Sequence, residues 1–124
     1  MTHIREVGTI AVPVSDPELA LAFYVDVLGL EKRRDVPFGQ DARWIEVAPA
    51  GATTTIALAP PGGRAIGVDT GIRLSTLDCE ADHGALVDRG IDAGEIMRWP
   101  GVPPMFSLRD PDGNTLYVVG HSVG

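Results

Sequence analysis

The chain has a single cysteine, Cys79, among 124 residues. One thiol closes no internal disulfide and builds no cysteine-rich zinc site, so Cys79 reads as a half-buried apolar side chain of a reduced, cytoplasmic protein. Basic residues are few: 10 against 17 acidic ones, for a net charge of -7 and a pI near 4.7. Nucleic acid and anionic membranes both select a basic footprint, so neither is an expected partner. No apolar run approaches bilayer-spanning length, and Met1-Thr2-His3-Ile4-Arg5-Glu6 lacks the basic-then-apolar pattern of a secretory leader. There is no phosphate loop, no GxGxxG and no serine–histidine–aspartate ordering, which leaves nucleotide binding and triad hydrolysis without support. The three histidines, His3, His83 and His121, share no ligand spacing.

What the chain does have is a repeat. Asp16 and Asp78, Pro49 and Pro111, and Ile10 and Ile72 are each separated by 62 residues, half of the 124. Gly29 and Gly90 are separated by 61. Each half reads strand–helix–strand–strand–strand. Ile4 to Val14 is a β-branched strand that meets Ser15-Asp16-Pro17-Glu18, a helix start with a capping side chain, a proline in the first turn and an acid at the positive end. Leu19, Ala22, Phe23, Val27 and Leu30 fall on one helical face, and Gly29 is a natural stop. The second copy runs from Gly71 to Leu77, through a helix over Glu80 to Arg89, to strands at Ile91 to Arg98, Met105 to Arg109 and Thr115 to Val119. In its last hairpin, Asp110-Pro111-Asp112-Gly113 is turn chemistry, which makes Asp110 and Asp112 turn formers rather than cation ligands. Pro60-Pro61-Gly62-Gly63-Arg64 connects the halves and is too short to separate independent domains. One domain over 1–124 is expected, with modules at about 4–60 and 68–121 sharing one sheet system.

Strand side chains alternate between two faces. The apolar parity (Ile10, Val12, Ile45, Val47, Ile56, Leu58, Leu116, Val118) is expected under the helices. The other parity holds Thr9, Trp44, Glu46, Thr55, Ala57, Gly71, Arg73 and Tyr117, a mixture of rings, small residues and two charges suited to a small-molecule pocket. Trp44, Trp99, Phe106 and Tyr117 are candidates for an aromatic clamp, against the plainer reading as core or interface residues. Trp99-Pro100-Gly101-Val102-Pro103-Pro104 is a stiff connection or a lid. Glu46 and Arg73, the only charges of this parity, read as a structural ion pair, or else as an acid–base pair with Glu46 as a weak catalytic candidate.

Val14-Ser15-Asp16-Pro17-Glu18, Ala22-Phe23-Tyr24, Leu28-Gly29-Leu30 and Arg109-Asp110-Pro111-Asp112-Gly113-Asn114 together resemble the vicinal oxygen chelate superfamily of glyoxalases, bleomycin-resistance proteins and extradiol dioxygenases. The likeness runs over about residues 6 to 120. It implies an α+β fold of two tandem βαβββ modules, with curved mixed sheets around a cleft and helices outside. It also implies a homodimer. The metal positions of metal-dependent members carry onto Thr9, Ala57, Gly71 and Tyr117, a poor donor set for a divalent ion. The resulting expectation is a metal-free protein without a cofactor. It binds an aromatic or bulky organic ligand through Thr9, Trp44, Glu46, Arg73, Trp99, Phe106 and Tyr117. The alternative is a metal-dependent lyase or isomerase, or a dioxygenase, of the same superfamily.

Overall fold

A computed structural model describes residues 1–121 of the chain. Its contacts divide it into two compact units, Met1–Ile66 and a second that begins at Gly67. In the first, the strands are β1 (Thr9–Pro13), β2 (Glu31–Pro37), β3 (Arg43–Ala48) and β4 (Thr55–Ala59), in the order β1-β4-β3-β2. In the second, β5 (Asp69–Thr76), β6 (Met105–Arg109) and β7 (Thr115–Gly120) follow the order β5-β7-β6. The first strand of each unit runs parallel to the last, and the hairpins are antiparallel. The α+β architecture with two mixed sheets is as expected. The single shared sheet system is not: each ladder closes within its own half, giving two sheets.

The first helix begins as the sequence dictates. Asp16 accepts hydrogen bonds from the backbone N–H of Glu18 (2.9 Å) and Leu19 (3.4 Å), and Pro17 occupies the first turn, where no N–H is needed. After one α-helical turn (α1, Pro17–Leu21), the helix widens over Ala22–Val27 into a π turn, in which the Leu28 N–H reaches the Phe23 carbonyl at 2.9 Å. Gly29, at φ 78, ends it, and the Leu30 N–H closes on the Tyr24 carbonyl at 3.0 Å. In the second unit, α2 (Cys79–Asp88) ends at Gly90, φ 77, and the Ile91 N–H closes on the Leu86 carbonyl at 3.0 Å. The first closure spans one residue more than the second. A π turn stores a surplus residue, which accounts for the two glycines being 61 apart in a 62-residue repeat. Of the expected face Phe23 and Leu30 are buried, joined by Ala20 and Tyr24, while Leu19 is 56% exposed.

The segment expected as a strand over Ile91–Arg98 is irregular. It touches β6 only through the bridges Ala93–Leu108 and Met97–Met105, which are one residue out of register with each other. The break lies just after Gly94. Its N–H donates to the Ser107 carbonyl at 2.8 Å, and a Cβ there would stand 3.0 Å from the Ser107 hydroxyl.

The last hairpin is locked as its turn chemistry requires. Asn114 is fully buried. Its side-chain oxygen accepts from the N–H of Gly67 (2.9 Å) and Val68 (3.0 Å), and its amide nitrogen donates to Asp110 Oδ2 at 2.9 Å. Asp110 Oδ1 accepts in turn from the Asp112 and Asn114 N–H groups, both at 2.9 Å. Both aspartates sit in this turn, as expected. Among the described residues no helix is long and apolar enough to cross a membrane.

Candidate functional site

In the first unit, cross-strand register puts Thr9 opposite Thr55, Ala11 opposite Ala57, Glu46 opposite Ala57 and Arg34 opposite Glu46. These residues share one face by parity, and on it Glu46 is pinned. The Trp44 indole N–H donates to Oε2 at 2.8 Å and the Thr55 hydroxyl donates to Oε1 at 2.7 Å. The Thr55 and Thr9 hydroxyls lie 2.8 Å apart. A carboxylate only accepts, so the single Thr55 proton goes to Glu46 and its oxygen is left to accept from Thr9. The Trp44 bond, the Thr55 bond and the nearby Arg34 charge hold the Glu46 carboxyl below the usual carboxylate range, against the opposing effect of burial. Phe38 stands at 5.6 Å from the Trp44 ring, so the aromatic element here is a pair.

In the second unit, β5 pairs with β7 through an irregularity. Asp69 faces Thr115 and Arg73 faces Tyr117, so five residues of β5 oppose three of β7. Gly71 sits in the bulge at φ 69, a left-handed conformation that only glycine adopts without strain. The bulge brings both charged neighbours onto Tyr117. The Tyr117 hydroxyl donates to Asp69 Oδ2 at 2.7 Å, the Gly71 N–H donates to Asp69 Oδ1 at 3.0 Å, and the Arg73 guanidinium lies 4.5 Å from the centre of the Tyr117 ring. Arg73 Nη1 also donates to the Gly71 carbonyl at 2.8 Å. The Tyr117 hydroxyl bond and the Gly71 N–H hold Asp69 below the carboxylate range, and the same Asp69 contact pushes the Tyr117 phenol above its usual range.

Among the candidate rings, Phe106 lies on the packed side. Phe106 faces Val118 in register, is fully buried, and meets the His83 ring of α2 edge-on at 4.9 Å. It therefore belongs to the helix side of its sheet. The His83 Nε2–H donates to the Gly94 carbonyl, 2.8 Å away, and His83 is a packing residue. Trp99 is 54% exposed in a turn closed by the Val102 N–H on its carbonyl. Glu46 and Arg73 take the partners described above rather than each other. Residues the sequence did not single out, Asp69 and Phe38, complete the two faces. Asp69-Thr70-Gly71 is the one signal that pointed to Asp69, since an aspartate two residues before a glycine N–H is turn chemistry.

The four positions carried over for a metal hold Thr9, Ala57, Gly71 and Tyr117. Direct cross-strand register offers a second set. The residue opposite Thr9 is Thr55, and the residue opposite Tyr117 is Arg73. Neither set suits a divalent cation. Ala57 and Gly71 carry no donor, the threonine hydroxyls are neutral, the Tyr117 hydroxyl is committed to Asp69, and Arg73 is itself a cation. Among the described residues no group of three His, Cys, Asp or Glu side chains is placed to share an ion. A separate hollow of about 130 Å³ in the first unit is lined by Ser15, Asp41, Arg43, Leu58 and Pro61. Its guanidinium is already engaged by Glu18 and Asp35. Arg43, and after it Lys32, hold the Asp35 carboxyl down at about 2.

Comparison with known proteins places this architecture. Over 57 residues the chain is 40% identical to the uncharacterized protein YetH of Bacillus subtilis (strain 168), a match that spans 46% of this chain and only 48% of YetH. The crystal structure of TnmS3, an antibiotic binding protein from Streptomyces sp. CB03234, superposes with a TM-score of 0.88. It is 34% identical, and the match covers 98% of this chain and all of TnmS3. A superfamily member from Sphaerobacter thermophilus DSM 20745 gives 0.89 at 35% identity, covering 97% of this chain and all of that one. The family model of the glyoxalase/bleomycin resistance protein/dioxygenase superfamily matches residues 6–118, and the chain belongs to that superfamily.

Proposed function

We propose that the protein is a metal-free binder of a bulky aromatic organic molecule, for which Trp44 in the first unit and Tyr117 in the second are each a candidate ring. The observation that carries this reading is the way the polar groups beside each ring are used. Glu46 is fixed by Trp44 and Thr55, and Tyr117 by Asp69. Each network spends its hydrogen bonds on holding an aromatic ring at a set angle, and rings held in place present apolar area at small entropic cost. The likeness to an antibiotic binding protein along nearly the whole chain supports the same reading. Isothermal titration with a panel of quinone and glycopeptide ligands tests it. A micromolar binder that is lost in Trp44→Ala is the expected result, and no binder tighter than about millimolar overturns it. Stoichiometric Fe, Ni, Zn or Mn in protein purified without chelator would favour a metal-dependent lyase, isomerase or dioxygenase instead. In this reading the protein works as a homodimer. Among the described residues β1 and β5 are edge strands of their sheets, a position open to a neighbouring strand. Sedimentation equilibrium showing only monomer would contradict that.

A further inference from the structure

We propose that Arg73 makes the Tyr117 face a receptor for an acidic group, so that the bound molecule carries a carboxylate or an ionised phenol beside its rings. The inference deepens the aromatic-ligand reading and rests on it.

Arg73 is held before any ligand arrives. Its guanidinium is stacked on Tyr117 at 4.5 Å and tethered through Nη1 to the Gly71 carbonyl at 2.8 Å. One of its five N–H donors is used in that tether, and the side chain is otherwise exposed. Arg33, Arg43, Arg98 and Arg109 each pair with an acid, whereas among the described residues no carboxylate bridges Arg73. The nearest acid is unsuited to that role. Asp69 gives Oδ2 to the Tyr117 hydroxyl and Oδ1 to the Gly71 N–H. Both of its oxygens are thus engaged by the phenol and the backbone, so Asp69 acts on Arg73 through space only and the guanidinium edge is left open. A planar fork of this kind matches the two oxygens of a carboxylate, and an aromatic ring beneath it keeps the fork flat. The bulge is what assembles the device. In the first unit, with no surplus residues in the strand, neutral Thr9 occupies the position opposite Thr55 that Arg73 takes opposite Tyr117.

Two titrations test the proposal. In the first, benzoate is titrated while the Arg73 Nε–H resonance is followed by NMR, assigned by its loss in Arg73→Gln. A saturable shift is expected. In the second, isothermal titration compares anthraquinone-2-carboxylate with its methyl ester. The acid is expected to bind about tenfold more tightly than the ester, Arg73→Gln to equalise the two, and Arg73→Lys to restore only part of the difference. An Arg73 resonance unmoved by benzoate overturns the proposal, as does equal binding of acid and ester to the unaltered protein. If benzoate engages Arg73 but neither quinone binds, the acid receptor stands and the aromatic-ligand reading falls. If both quinones bind equally, the reverse holds.

Discussion

The two units share a plan but not a register, and their chemistry differs because of it. In the first, β1 and β4 pair residue for residue from Thr9 to Pro13, and the resulting face is one of hydroxyls, rings and a restrained carboxylate. In the second, β5 carries two surplus residues between Asp69 and Arg73, and the face gains a cation lying on a ring. The pleat, the strand order and the turn residues have been kept in both. A local insertion in one strand was enough to lay a guanidinium on a ring in the second unit, whereas Arg34 of the first face stands opposite Glu46.

The largest test of this comparison sets one face of a sheet against the other. Phe106→Ala should lower the unfolding free energy by about 3–5 kcal/mol, because a fully buried ring packed on His83 leaves a cavity. Trp44→Ala, on a half-buried ligand face, should cost clearly less while abolishing ligand binding. Urea denaturation of both variants checks the ordering, and a Phe106→Ala cost below that of Trp44→Ala would reverse the assignment of faces. Next in size is Gly71→Ala. The space around its missing Cβ is open, so the penalty is one of backbone conformation alone, about 1–2 kcal/mol from φ 69. It should also weaken preference for the acidic probe, because the Gly71 carbonyl anchors Arg73. The smallest effect concerns pH. Glu46 has its carboxyl depressed in the folded state, so its contribution to stability is present above the ordinary glutamate range and is lost as pH falls through the folded value. Urea midpoints measured from about pH 6 to about pH 3 should fall less steeply for Glu46→Gln than for the unaltered protein. Parallel curves would mean that the Trp44 and Thr55 bonds do not favour the ionised form.

Most of the architecture was legible in the sequence because it is written in local rules. Asp16-Pro17 opens a helix by capping, Gly29 and Gly90 end helices by tolerating positive φ, and Asp110-Pro111-Asp112-Gly113 can only turn. The alternation of Ile45, Val47, Ile56 and Leu58 assigns one face of the first sheet. The 62-residue repeat then supplies the order of elements. The errors have a different origin. Phe106 was a ligand candidate as an aromatic ring alone, and its register opposite Val118 gives it the plainer core role. Arg73 was seen as a charge seeking Glu46, because a bulge is invisible to parity. Ile91 to Arg98 has the composition of a strand, but its two bridges to β6 are one residue out of register and no ladder runs between them. The Asp69–Tyr117 bond joins residues 48 apart and depends on that same bulge, so no local pattern announces it.

The π turn at Ala22–Val27 has a practical bearing on comparing this chain with others. Any alignment of the first half with the second, or with a relative whose helix is regular, must open its gap inside that turn. A gap set instead in the loop after Gly29 would slide the intervening residues by one place. Every role transferred across that interval would then fall on the neighbour of the side chain that performs it.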